Sequence, residues 1–271
     1  MKLSSEECQQ NALTPEHLAL ALRSLHESGY VILEGVLPQA WVEEMRVAFD
    51  TELKRVTAGK EGEVEKSKGH YGTSAPLRLP FLDPLAIENP FALQIMESAM
   101  GTDIFSYLPY GCNTAWPGSG VQHIHRDTGH LFVGTSYVLP VAMVVVNIPL
   151  VDFTVENGCT EVWPGSHLIA DPDPAAALDP YHVCTEERAA QIPSARVTMP
   201  AGSVVVRDMR AWHRGMPNHT QTIRTMLALV YFRQFYNICH LKYGNPIPRS
   251  TWEQLSERAQ RLYRYTPVAE G

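Results

Sequence analysis

Nothing in this 271-residue sequence divides it: there is no polar linker, no low-complexity tract and no internal repeat. One domain over 1–271 is therefore the expectation. A basic stripe is also missing. With 22 Lys and Arg against 29 Asp and Glu, the net charge is −7, which argues against a nucleic-acid binder. The longest apolar run, 137–151, contains Pro140, Asn147 and Pro149; it is too short and too β-branched to cross a bilayer as a helix. The opening MKLSSEECQQ lacks the apolar core of a secretory signal. The five cysteines, Cys8, Cys112, Cys159, Cys184 and Cys239, are scattered and form no CxxC pair. Such a set excludes a disulfide framework or zinc site and indicates reduced thiols. Without a signal, the glycosylation pattern Asn218-His219-Thr220 is a chance match. A cytoplasmic monomer or homodimer is expected, with a small-molecule substrate and neither nucleic acid nor membrane as partner.

What is present starts with helices. Thr14 can cap a helix opened by Pro15, with Leu18, Leu22 and Leu25 on one face and Gly29 as its stop. A short strand, 30–36, follows. Trp41, Met45, Phe49 and Leu53 recur every four residues and define a second helix ending near Gly59. Residues 60–74, KEGEVEKSKGHYGTS, are charged and poor in apolar residues, which predicts a loop: a solvated connection or a lid. Another helix is expected from Asn89-Pro90 to Gly101. From Ile104 the character changes. VAMVVVNI (141–148), SVVVRD (203–208) and TMLALVYF (225–232) are β-branched runs bounded by Gly, Pro and Asn. Many strands with such punctuation suggest a sandwich or small barrel. The expected class is α+β with a mainly β core: a helical N-terminal part (14–101), a jelly-roll core (104–236) interrupted by an insertion (171–196), and a C-terminal extension (237–271). In that extension a helix is expected over 252–263, capped by Ser250 or Thr251.

The chemistry concentrates in Gln122-His123-Ile124-His125-Arg126-Asp127. On a strand, side chains two apart share a face, so His125 and Asp127 can aim an imidazole and a carboxylate at one point. His213, in Ala211-Trp212-His213-Arg214-Gly215, is the candidate third ligand. Two imidazoles and one carboxylate describe the facial triad of iron(II) oxygenases and leave three coordination positions open. Those positions suit a chelating keto acid followed by O2. 2-Oxoglutarate would leave its second carboxylate to be received by an arginine fork. Arg224 follows His213 by eleven positions across the turn Gly215-Met216-Pro217-Asn218. A hairpin of that length could place it on the neighbouring strand. Met226, Ala228 and Val230 would share its face. Tyr110, Asn113, Trp116 and Asn147 are candidate substrate contacts, and each could equally face core or solvent.

In these residues the chain resembles the phytanoyl-CoA dioxygenase family of iron(II)/2-oxoglutarate oxygenases. The resemblance continues through Glu156-Asn157-Gly158-Cys159-Thr160, Pro164-Gly165-Ser166-His167, Gly202 to Val206, Trp212-His213 and Arg224, and includes GYVILEGVL at 29–37. It implies a double-stranded β-helix flanked by N-terminal helices, with His125, Asp127 and His213 on iron and Arg224 on the distal carboxylate of 2-oxoglutarate. It also implies co-substrate contacts for Gln122 and Thr160, and a structural turn for His167. Met143 stands where some relatives carry a pocket tryptophan, which makes it a further candidate co-substrate contact. The implied reaction is oxidative decarboxylation of 2-oxoglutarate coupled to hydroxylation or a related C–H oxidation of a small metabolite or natural-product intermediate. Asp127 argues against halogenation, because halogenases of this class lack the carboxylate. Two alternatives stay open: a cupin-like metalloenzyme using His123, His125 and His213 without 2-oxoglutarate, and a non-catalytic jelly-roll binding protein. Against the first, a cupin's glutamate is missing, since Gly129 and His130 stand where it would fall.

Overall fold

Capping chemistry fixes the first elements. The computed structural model describes residues 1–132, 134–171, 184–236 and 246–270. Helix α1 (Ser5–Gln10) precedes α2 (Pro15–Ser28), where the Thr14 side chain accepts from the His17 amide and Gly29 closes the helix at φ +85°. Strand β1 (Tyr30–Leu33) leads into α3 (Gln39–Thr57), which buries Trp41, Met45, Phe49 and Leu53. Its N-cap, Pro38, offers no side-chain hydrogen bond. A missing cap costs about 1 kcal/mol, whereas each buried anchor contributes about 1.5–3 kcal/mol, so packing decides this helix.

Residues 60–74 depart from expectation. They form α4 (Glu61–Lys66) and β2 (His70–Ser74), which pairs antiparallel with β3 (Gly111–Ala115). Pairing to a sheet edge supplies the hydrogen bonds, and local composition carries no sign of that. The N-terminal part therefore contributes two strands as well as helices. Helices α5 (Pro84–Ile87) and α6 (Pro90–Met100) follow, the latter capped by Asn89 and ending at Gly101 as expected.

The core is a jelly roll. Beyond β3 come β4 (Met143–Pro149), β5 (Glu161–Val162), α7 (Glu186–Ala189), β6 (Ala195–Arg196), β7 (Val204–Asp208), β8 (His213–Arg214) and β9 (Arg224–Phe232). The larger sheet has the order β1-β7-β4-β9-β3-β2, and the smaller β6-β5-β8. Alternation sorts the larger sheet's two faces. Val144, Val146, Ile148, Val204, Val206, Leu227, Leu229 and Tyr231 pack with Phe49, Ile95 and Met96 of the helices. Val145, Asn147, Arg207, Arg224, Met226, Ala228 and Val230 line a cavity on the other face. The smaller sheet closes that side through Val162, packed with Phe153, Val197, Met199 and Val205.

Two further expectations need correction. The C-terminal helix is two helices, α8 (Arg249–Trp252) and α9 (Glu257–Leu262). Ser256 breaks them apart by capping the second, while Ser250 and Thr251 lie inside the first. The insertion is only partly an interruption, because its β6 pairs with β5 and completes the smaller sheet; residues 172–183 lie outside the described residues. Cys8, Cys112, Cys159 and Cys184 are free thiols, and Cys239 lies outside the described residues. Among the described residues no helix is long and apolar enough to cross a membrane.

Candidate metal centre and its cavity

His125 and Asp127 lie on an extended segment rather than a regular strand. The His125 amide donates to the His213 carbonyl (3.0 Å) and the His213 amide donates back (2.8 Å). The Asp127 amide then reaches past β8 to the Met209 carbonyl (2.9 Å), so no continuous ladder forms. Alternation nonetheless holds locally. Arg126, between the two, points away into a buried ion pair with Asp171. Asp127 Oδ1 lies 3.6 Å from His213 Nε2 and 3.9 Å from His125 Nε2. One ligand atom from each residue falls within 4.8 Å of the others.

Tautomers are set by backbone carbonyls. His125 Nδ1 faces the His123 carbonyl at 3.0 Å, and His213 Nδ1 faces the Ala211 carbonyl at 3.1 Å. A carbonyl only accepts, so with the proton on each Nδ1 both Nε2 lone pairs turn inward as metal donors. Burial, with Arg207 second, pulls His213 down to about 3; burial also lowers His125. Both rings are neutral near pH 7. Burial alone would raise Asp127, but His213 and Arg207 outweigh it and hold the carboxyl below its usual range. Two neutral imidazoles and a carboxylate on one side of a point fit iron(II) with three positions open.

Arg207 is the residue that sequence reasoning missed. Its Nη2 donates to Asp127 Oδ2 at 2.7 Å, and its Nη1 lies 3.2 Å from His213 Nδ1. The signal was available: one arginine ends a run of valines in a buried strand, two positions from Val205 and on its face.

The ligands open onto a cavity of about 480 Å³. Arg224 lines it too, though not by the expected route. β8 and β9 belong to different sheets, so residues 215–223 cross between sheets instead of forming a hairpin. The crossing is pinned by Asn218, fully buried, whose amide donates to the carbonyls of Ala115 (3.0 Å) and Thr222 (2.8 Å). Arg224 is 3% exposed, with its guanidinium 4.8 Å above the Phe153 ring. Its Nε has no hydrogen-bond partner, and burial pulls its pKa down to about 10. No described carboxylate pairs with it. A buried charge without a counter-ion costs several kcal/mol, so this end of the cavity suits an anion.

Gln122 and Thr160 line the same cavity, as do Asn113 and Asn147. Gln122 Oε1 accepts from the Gly215 amide at 2.8 Å. A Cβ at Gly215 would lie 2.7 Å from that oxygen and 2.6 Å from His70 Cε1. Thus β2, expected as loop, supplies a wall through His70 and Tyr71. Three candidates are not brought to the site. Tyr110 has the parity of Cys112 and points into the core, its hydroxyl donating to the Phe81 carbonyl (2.8 Å). Trp116, just past the end of β3, packs against the same core. Met143 sits at the far end of β4 beside Phe105 and Phe232, outside the cavity. His167 lies apart from the ligands, with Nε2 3.0 Å from the His26 carbonyl. His123 is exposed and not among the convergent donors.

Comparison with known proteins places this geometry. The profile of the family described as phytanoyl-CoA dioxygenase matches residues 25–226. The chain is 27% identical over 263 residues to dioxygenase aneA of Aspergillus aculeatus, covering 90% of this chain and 81% of that protein. It is 22% identical over 267 residues to dioxygenase trt7 of Aspergillus terreus, covering 92% and 84%. Among solved structures it shares its fold with the epimerase SnoN, crystallised in complex with Fe3+, alpha ketoglutarate and nogalamycin RO. The TM-score is 0.62 at 22% identity, over 81% of this chain and 84% of that one.

Proposed function

Since the chain belongs to the phytanoyl-CoA dioxygenase family, we propose that it is an iron(II)- and 2-oxoglutarate-dependent dioxygenase. Its reaction couples oxidative decarboxylation of 2-oxoglutarate to hydroxylation or a related C–H oxidation of a small molecule. His125 Nε2, Asp127 Oδ1 and His213 Nε2 hold the metal. Arg224 receives the distal carboxylate of the co-substrate, with Gln122 and Thr160 beside it. Bound iron supplies the oxidising chemistry; the protein orients both substrates and keeps water from the cavity.

The single observation that carries this is Arg224: a buried cation with no counter-ion among the described residues, facing the cavity that the three donors share. A metalloenzyme or binding protein without an anionic ligand gives that arginine no purpose. The remaining walls narrow the substrate. With Arg224 taken by the co-substrate and Arg207 by Asp127, no free charge is left among the lining residues. Tyr107, Val145, Met209 and Val230 offer apolar surface, and Asn113 and Asn147 a few polar groups. An uncharged metabolite or natural-product intermediate suits this lining, whereas the phosphates of a CoA thioester find no free cation among the described lining residues.

Calorimetry with Mn(II) in place of iron tests the assignment. Arg224→Met is expected to bind Mn(II) as the wild type does but 2-oxoglutarate about 100-fold more weakly, from the loss of about 3 kcal/mol in a buried charge pair. Unchanged 2-oxoglutarate affinity in that variant would remove the basis for the co-substrate.

A further inference from the structure

We propose that Arg207 is a positioning residue that keeps Asp127 a one-oxygen metal ligand and so preserves the third open coordination position. The inference rests on the metal assignment above and concerns a residue outside the ligand set.

The two oxygens of Asp127 face different partners. Oδ1 lies toward both imidazole Nε2 atoms, at 3.6 and 3.9 Å. Oδ2 accepts from Arg207 Nη2 at 2.7 Å. A metal at the point of convergence therefore meets Oδ1, while Oδ2 is committed to the guanidinium. This distinction matters to coordination number. Two imidazoles and one carboxylate oxygen leave three octahedral positions, enough for a chelating keto acid and one further ligand. A carboxylate binding through both oxygens would occupy one of the three.

Arg207 is suited to the task by its placement. It stands on β7, which is paired on both sides, with Arg207 opposite Val145 of β4 and Tyr30 of β1. Its side chain is 9% exposed, so its reach and direction come from a rigid strand. Arg207 Nη1 lies 3.2 Å from His213 Nδ1. That nitrogen carries one hydrogen at most, which goes to the Ala211 carbonyl once Nε2 is on a metal. The hydrogen bond from Arg207 then serves Asp127, while Nη1 only packs beside the His213 ring. A neighbour of this kind is typically worth 10- to 100-fold in metal affinity.

Co(II) titration of the metal-free protein reads the effect, because Co(II) visible bands change with the donor set and the geometry around the metal. Arg207→Gln is expected to bind Co(II) about 10- to 100-fold more weakly and with altered bands, and Arg207→Lys to lie between it and the wild type. Wild-type bands in folded Arg207→Gln overturn the proposal. Weaker binding with unchanged bands does so too, since Arg207 then only stabilises the fold. Should circular dichroism show that the Gln variant does not fold, the Lys variant decides by the same bands. A wild type that binds Co(II) but not 2-oxoglutarate would sink the dioxygenase assignment and leave the role of Arg207 standing.

Discussion

His125 has a possible co-ligand on each side: His123 two positions before it, Asp127 two after. The difference between them lies in direction. Asp127 Oδ1 converges with both Nε2 atoms, while His123 offers His125 its backbone carbonyl and an exposed ring 5.4 Å away. Asp127→Ala is therefore expected to weaken metal binding at least 100-fold, as loss of one of three ligands should, at about 3 kcal/mol; His123→Ala should change it less than threefold. Metal titration of the two variants reads this directly, and the reverse order would support the cupin-like alternative. The three candidate ligands were legible as a His-x-Asp pair with a distant histidine, and Arg224 as a charged residue at the head of an apolar, strand-like run, costly to bury unless used. Arg207 carried the same signal within a run noted only for its strand character. Tyr110, Trp116 and Met143 were not legible, since whether a side chain meets the cavity depends on sheet parity and on where each strand ends.

Among the elements, the turn from Glu156 to Cys159 helps to assemble the cavity. Asn157 Oδ1 accepts from the Thr154 amide (2.9 Å), its Nδ2 donates to the Asp152 carbonyl (2.6 Å), and Thr160 emerges at the wall. Gly158, at φ +78°, sits against the 215–223 crossing that leads to Arg224. A Cβ there would lie 2.2 Å from the Met216 carbonyl oxygen and 2.8 Å from that of Pro217. Backbone strain and overpacking each cost about 1–3 kcal/mol, so Gly158→Ala is expected to lose roughly 2–6 kcal/mol. A urea denaturation midpoint equal to that of the wild type would contradict this. Element boundaries were legible where the cap is local: Thr14 and Gly29 bracket α2, and Asn89 and Gly101 bracket α6. They were illegible where a distant partner decides, as for β2 on the edge of β3 and β6 on β5.

In the whole molecule, His213 and Arg224, one candidate metal donor and the candidate anion receiver, come from different sheets. His213 stands on the smaller sheet and Arg224 at the start of β9 on the larger, yet both line one cavity. Their order along the chain was readable, but the crossing between sheets was not, because an eleven-residue separation suits a hairpin equally well. The jelly roll itself was foreseeable from the β-branched runs and the family resemblance. The most direct test of the central claim is spectroscopic. Under anaerobic conditions, Fe(II) and then 2-oxoglutarate are added to the metal-free protein, and the visible metal-to-ligand charge-transfer band is recorded. A band that appears with both together, and with neither alone, is the expected result. Wild-type protein that binds Fe(II) yet gives no band at saturating 2-oxoglutarate would contradict the co-substrate assignment at its root.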